Sequence, residues 1–89
     1  MIEAHIVYSG RVQGVGFRYT VQSLARPLKI CGWVKNLADG RVEIRTQGSK
    51  EKIEQLIQEI DDHFDRGIKE KAVSWLEVKE SCRDFQIVF

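Results

Sequence analysis

The feature that most constrains this chain is the order in which its apolar periodicity switches between two residues and three to four. Ala4, Ile6 and Tyr8 alternate with His5, Val7 and Ser9 and stop at Gly10, which reads as a strand. Val21, Leu24, Ala25 and Leu28 then recur at helical spacing in a segment that starts near Arg18, and Pro27 predicts an early end or a bend near Ala25 and Arg26. Cys31 to Asn36 reads as a strand, Ala38-Asp39-Gly40 as a tight turn, and Arg41 to Gln47 as the returning strand of a hairpin. Ser49 is placed to cap a second helix whose stripe is Ile53, Leu56, Ile57, Ile60 and Phe64, with Glu51 in its first turn. Past Gly67, Val73 to Val78 predicts a strand, and Phe85, Ile87 and Phe89 a short terminal one. The order is β-α-β-β-α-β plus one strand. It predicts an α+β fold, a ferredoxin-like sandwich with two helices on one face of an antiparallel sheet and residues 1–89 as a single domain.

Topology does not name a function, and the charge balance narrows the field first. Fourteen basic and thirteen acidic residues leave a net charge of +1, too little to neutralise a run of phosphates, so nucleic acid is not an expected partner. An RNA-recognition module shares the topology, but Arg41, Glu43 and Arg45 occupy the alternating positions of the third strand where base-stacking aromatics would be needed. No apolar run approaches the ~20 residues that cross a bilayer, and the N-terminal segment has no signal-peptide pattern, so the expected compartment is the cytoplasm and no membrane partner is expected. Cys31 and Cys82 lie too far apart in sequence for a zinc spacing and are expected as reduced thiols. His63 sits among Asp61, Asp62 and Asp65, which reads as a solvated helix end, so neither a metal nor another cofactor is expected.

The segment that carries chemistry is Gly10-Arg11-Val12-Gln13-Gly14-Val15-Gly16-Phe17-Arg18, between the first strand and the first helix. Glycines allow left-handed backbone, so the N–H groups of Gln13, Gly14, Val15, Gly16, Phe17 and Arg18 can converge on one anion at a helix N-terminus. The guanidinium of Arg18 adds a fork that matches phosphate. Walker A is excluded because no Lys-Ser or Lys-Thr follows, and the dinucleotide fingerprint fails where Tyr19 stands in place of a third small residue. In this topology the loop after the first strand and the hairpin after the second share one end of the sheet, which brings Asn36 to the glycine loop. Asn36 is then open to two readings, a residue favouring the turn into Leu37 or an amide holding a water beside a bound phosphate.

This segment, with Gly32-Trp33-Val34-Lys35-Asn36 and Asp39-Gly40-Arg41-Val42-Glu43, closely resembles the acylphosphatases over nearly the whole chain. The resemblance implies that Arg18 and the loop amides bind phosphate and that Asn36 orients the attacking water. It implies hydrolysis of an acyl phosphate to a carboxylate and inorganic phosphate, without metal or covalent intermediate, by a protein expected to act as a monomer. Phosphate or sulfate would occupy the same loop as product or inhibitor. Two stretches depart from the pattern: the glycine common near the end of the first helix is absent from Ala25-Arg26-Pro27-Leu28-Lys29-Ile30, and the Gly-Pro pair after the second helix is replaced by Asp65-Arg66-Gly67-Ile68-Lys69. A non-hydrolytic acyl- or carbamoyl-phosphate-binding domain, as in the acylphosphatase-like segment of larger carbamoyl-transfer maturation factors, is the alternative within the same fold.

Overall fold

A computed structural model describes residues 1–14 and 16–89. Five strands form one sheet: β1 (Ile2–Gly10), β2 (Cys31–Asn36), β3 (Val42–Gly48), β4 (Ile68–Leu76) and β5 (Phe85–Val88), in the spatial order β4-β1-β3-β2-β5. Helix α1 (Phe17–Ala25) follows β1, and α2 (Lys50–His63) follows β3. The ferredoxin-like order expected from the periodicity is present, with one difference. β5 runs parallel to β2, from Gly32 opposite Phe85 to Lys35 opposite Val88, so the sheet is mixed rather than purely antiparallel.

Register explains which residues become core. Ala4, Ile6 and Tyr8 stand opposite Thr46, Ile44 and Val42, and all six are buried on the face that carries the helices. α1 contributes Phe17, Val21 and Ala25, spaced one turn apart, and α2 contributes Ile53, Leu56, Ile57 and Ile60. The Ser49 side chain caps α2 by accepting from the Lys52 N–H at 3.2 Å, as its position predicts. α1 stops at Ala25 and Pro27 sits in a single 3₁₀ turn, Arg26–Leu28, which Lys29 closes in the left-handed region (φ 58°). That is the place usually given to glycine, and it accounts for the altered helix exit noted in the sequence.

The other face of the sheet carries no helix. Glu3, His5, Glu43, Arg45 and Gln47 occupy it by alternation and pair across strands: His5 Nε2 lies 2.5 Å from Glu43 Oε2, and Arg45 Nη1 donates to Glu3 Oε2 at 2.8 Å. β4 begins at Ile68, five residues before the expected start, because its outer positions Lys69, Glu70 and Lys71 are too polar to show an apolar alternation.

Cys31 and Cys82 are joined in a disulfide with Cα atoms 5.7 Å apart, which overturns the expectation of reduced thiols. Cys31 opens β2 on the helix-free face, and the segment between β4 and β5 crosses the sheet end there, bringing Cys82 to it. The Gln47 amide, which donates to Glu3 Oε1 at 2.9 Å, also donates to the Glu80 carbonyl and holds that crossing from beneath. Closing a loop with a sequence separation of 51 restricts the unfolded chain strongly. Cys82→Ser should therefore lower stability by about 2–4 kcal/mol. Urea unfolding of the oxidised protein, the reduced protein and the variant checks this: the last two should coincide, and a variant as stable as the oxidised protein would remove the disulfide from the stability of the fold.

Candidate functional site

Both ends of the glycine loop are nailed into the core. Val12 is fully buried on one side, and Phe17 on the other packs its ring edge-on to Tyr8 with centroids 5.4 Å apart and lies 4.6 Å from Phe64. Between them Gly14 (φ 73°) and Gly16 (φ 76°) take left-handed backbone, the conformation that turns successive N–H groups to one side. Chain neighbours aside, no atom of the described residues stands within 4 Å of a Cβ built on either glycine, so backbone conformation rather than crowding selects glycine there. Val15 lies outside the described residues.

Gly16 is also the N-cap of α1 and supplies no side-chain hydrogen bond to it, and the first turn holds no acidic residue. The N–H groups that open a helix have no acceptor within it, so the positive end of α1 faces the loop with no acidic side chain in its own first turn. Arg18 stands in this first turn, half-buried. Among the described residues no Asp or Glu side chain lies within ion-pair distance of it. Its guanidinium carbon stands 4.7 Å from the ring centroid of Phe89.

β1 and β2 are both antiparallel to β3, so their C-terminal ends share one end of the sheet as the topology requires. Gln13 fastens the loop to the hairpin there: its Nε2 donates to the carbonyl of Leu37 at 2.8 Å and to that of Arg41 at 2.9 Å. Leu37 is the residue after Asn36, the last of β2. On the other side, Phe89 follows Val88, whose register partner Lys35 immediately precedes Asn36. Loop, Arg18 and Asn36 are thus brought to one corner of the molecule. Asn36 Oδ1 is buried there and has no hydrogen-bond partner among the described residues. An unsatisfied buried acceptor costs about 1–3 kcal/mol.

The hairpin is stiffened by Asp39, which accepts from the Arg41 N–H at 3.1 Å and from its Nε at 2.7 Å; these bonds, the backbone one first, hold the Asp39 carboxyl below its usual range. Beneath the loop, burial pushes the Tyr8 hydroxyl far above its ordinary pKa of 10.0, and the Asp61 carboxylate, 3.1 Å away, adds to the shift. Lys71 Nζ closes on the other Asp61 oxygen at 2.5 Å. No group of three His, Cys, Asp or Glu side chains among the described residues is arranged to hold a metal ion. No helix among them is long and apolar enough to cross a membrane.

The acylphosphatase family model matches residues 4–87. The chain belongs to the acylphosphatase family. It is 41% identical over 85 residues to an acylphosphatase of Chlorobaculum tepidum, a match covering 94% of this chain and 92% of that one. The crystal structure of the acylphosphatase from Bacillus subtilis superposes with a TM-score of 0.91 at 36% identity, covering 100% of both chains. Full-length HypF, solved in a phosphate- and nucleotide-bound form, matches 100% of this chain with a TM-score of 0.84 and 36% identity, but only 12% of the HypF chain takes part.

Within the acylphosphatase frame, two features of this corner are absent from the sequence argument. The Gln13 side chain is a clamp on the hairpin, besides the backbone role expected of it, and Phe89 stands against Arg18. Only a signal joining Gln13 to Leu37, 24 positions on, could have revealed the first. The clamp requires a donor. Gln13→Ala should cost about 1–2 kcal/mol for two lost bonds. Gln13→Glu should cost more, because a carboxylate would face two carbonyl oxygens with nothing to donate. Thermal unfolding of the pair checks the order, and a Glu variant as stable as the Ala variant would deny the clamp.

The sign of the Tyr8 effect follows from its raised pKa. The folded state holds the hydroxyl proton more tightly than the unfolded chain, so this contribution is complete below pH 10 and is lost as the pH climbs beyond it. Stability should fall between about pH 10 and pH 11 in the wild type, and Tyr8→Phe, weaker at neutral pH by about 1 kcal/mol, should fall less steeply. Equal slopes in urea titrations at the two pH values would contradict this.

Proposed function

We propose that this chain hydrolyses acyl phosphates, the mixed anhydrides of a carboxylic and phosphoric acid, as a monomer and without a metal or other cofactor. The observation that carries the reading is the orphaned Oδ1 of Asn36, a buried acceptor at the corner where the glycine loop and Arg18 meet. In this reading the N–H groups of Gln13 through Arg18 and the Arg18 guanidinium bind the phosphoryl oxygens, and Asn36 accepts a hydrogen bond from the attacking water and so aims its oxygen at phosphorus. The water oxygen bonds to phosphorus as the bond from phosphorus to the acyl oxygen breaks. The acyl oxygen leaves with the bonding pair as a carboxylate, one proton of the water passes to solvent, and the other stays on the oxygen now bonded to phosphorus.

A carboxylate is a stable leaving group near neutral pH, so no strong general acid is demanded, and positioning with charge stabilisation carries the catalysis. The N-terminal dipole of α1 and the guanidinium act on the equatorial oxygens as charge redistributes, at a helix end with no acidic side chain of its own. The proposed compartment is the cytoplasm, where phosphorylated metabolites are confined; there the Cys31–Cys82 bond has to persist against cellular thiols. The second reading, a binding domain that holds acyl or carbamoyl phosphate without turnover, is supported by the match to a small part of HypF.

Turnover decides between the two. Purified protein should release inorganic phosphate from acetyl phosphate at a rate that excess chelator leaves unchanged, and binding without turnover would favour the second reading. Arg18→Ala should lower kcat/KM about a hundredfold or more, since it removes two charge-assisted bonds. Asn36→Ala should bind inorganic phosphate nearly as the wild type does while kcat falls about a hundredfold. A destabilised Asn36→Ala protein with kcat retained would make Asn36 a turn former only.

A further inference from the structure

The crossing from Glu77 to Asp84 joins β4 to β5, and its side chains are exposed apart from the half-buried Val78 and Cys82. A cavity of about 760 Å³ is lined both by the sheet, at Trp33, Arg45 and Gln47, and by residues of the crossing. Burial of apolar surface therefore does little to hold this segment down. Among the described residues its ties beyond its own chain neighbours are four. They are the Cys31–Cys82 bond, the Gln47 amide on the Glu80 carbonyl, the Gly32 N–H on the Asp84 carbonyl at 2.9 Å, and a 4.0 Å ion pair of Arg26 with Asp84. Only the first responds to a reductant. We propose that Cys31 and Cys82 form a redox-sensitive latch, which closes the crossing over the sheet when oxidised and frees it, with the sheet still folded, when reduced.

The two sulfurs are unequally accessible. Cys31 is 8% exposed, whereas Cys82 is half-buried on the crossing, so an incoming thiolate reaches Cys82 first. With a dithiol reductant, one thiolate sulfur bonds to Cys82 Sγ as the Cys31–Cys82 bond breaks. Cys31 leaves with the bonding pair as a thiolate and takes up a proton. The second thiolate of the reductant then attacks the first reductant sulfur, closing an internal disulfide, and Cys82 departs as a thiolate that is protonated in turn. Two electrons have passed from the dithiol to the protein.

The reduced state has an acceptor in place for it. Gln47 is 7% exposed, and its Nε2 donates to Glu3 Oε1 at 2.9 Å and to the Glu80 carbonyl, which fixes the end of the amide that is oxygen. Oε1 then stands 3.9 Å from Cys31 Sγ, which carries no proton while it is in the disulfide. A thiol at Cys31 supplies the donor that this buried oxygen lacks. Cys31 and Gln47 are register partners on β2 and β3, so the new bond lies within the sheet and asks nothing of the crossing. Asn36 ends the strand that Cys31 begins, which places the latch at the opposite end of β2 from the glycine loop.

The test is cleavage of the native protein by a glutamate-specific endoprotease, with and without a dithiol reductant, the fragments being quantified by mass spectrometry after full reduction. Reduction should raise cleavage after Glu77 and Glu80 about tenfold or more relative to cleavage after Glu54 and Glu59 of α2, where opening requires the fold as a whole to open. Circular dichroism should show the reduced protein folded, and Cys82→Ser should be cut as the reduced protein is, whether or not reductant is present. In Cys82→Ser freed of reductant, the infrared S–H band of Cys31 should lie at lower wavenumber than in the same protein carrying Gln47→Met, which offers the thiol no amide oxygen. Unchanged cleavage at Glu77 and Glu80, equal acceleration at the α2 sites, an unfolded reduced protein, or coincident S–H bands would each overturn the inference.

Discussion

The arrangement of this molecule depends on β3, which pairs antiparallel with β1 on one side and β2 on the other. Two strands that each oppose a third must run the same way, and so the segments leaving them emerge at the same end of the sheet. One is a loop with glycines at left-handed positions and the other is a hairpin turn. Neither contains a complete site. Their adjacency follows from the hydrogen-bond ladder of the central strands, and the residues at that end inherit its rigidity.

The two faces of the sheet treat polar groups in opposite ways. On the helix-free face, His5 meets Glu43, Arg45 meets Glu3, and Gln47 fills the remaining oxygen of Glu3, so charge is matched by charge at close range. At the corner of the glycine loop stand a helix terminus with no side-chain cap, a guanidinium and an amide oxygen, and among the described residues no Asp or Glu side chain pairs with the guanidinium and no donor reaches the amide oxygen. Two of the three carry positive potential and one is a hydrogen-bond acceptor. An anion together with a water complements that set, and a simple cation does not.

Much of the architecture was legible because the core residues keep their periods. Alternation in β1 and β3, the stripe of α2, the Ser49 cap and the break at Pro27 are local signals, and each appears in the structure near its expected place. What was hidden depends on distant contacts or on surface composition. The disulfide joins residues 51 apart, the direction of β5 is set by its pairing with β2, and the first half of β4 is too polar to display a strand period. At the site, the glycine loop, Arg18 and Asn36 stand out in the sequence. The unsatisfied state of Asn36 does not, since burial of its oxygen depends on what packs around the end of β2. Phe89 gave a strand alternation and nothing more, because its partner is 71 positions away, by the numbers of Phe89 and Arg18.

The bond between Cys31 and Cys82 also divides the chain topologically. β2, β3, α2 and β4 lie inside a covalent ring, whereas β1 with α1 before it and β5 after it hang outside as two tails. The sheet order β4-β1-β3-β2-β5 inserts the first tail between two strands of the ring and lays the second along its rim. A protease cut within the ring would leave both fragments joined, but a cut in the glycine loop would leave β1 held only by its neighbours. The segment proposed to bind phosphate is thus also the seam at which a nicked molecule could come apart.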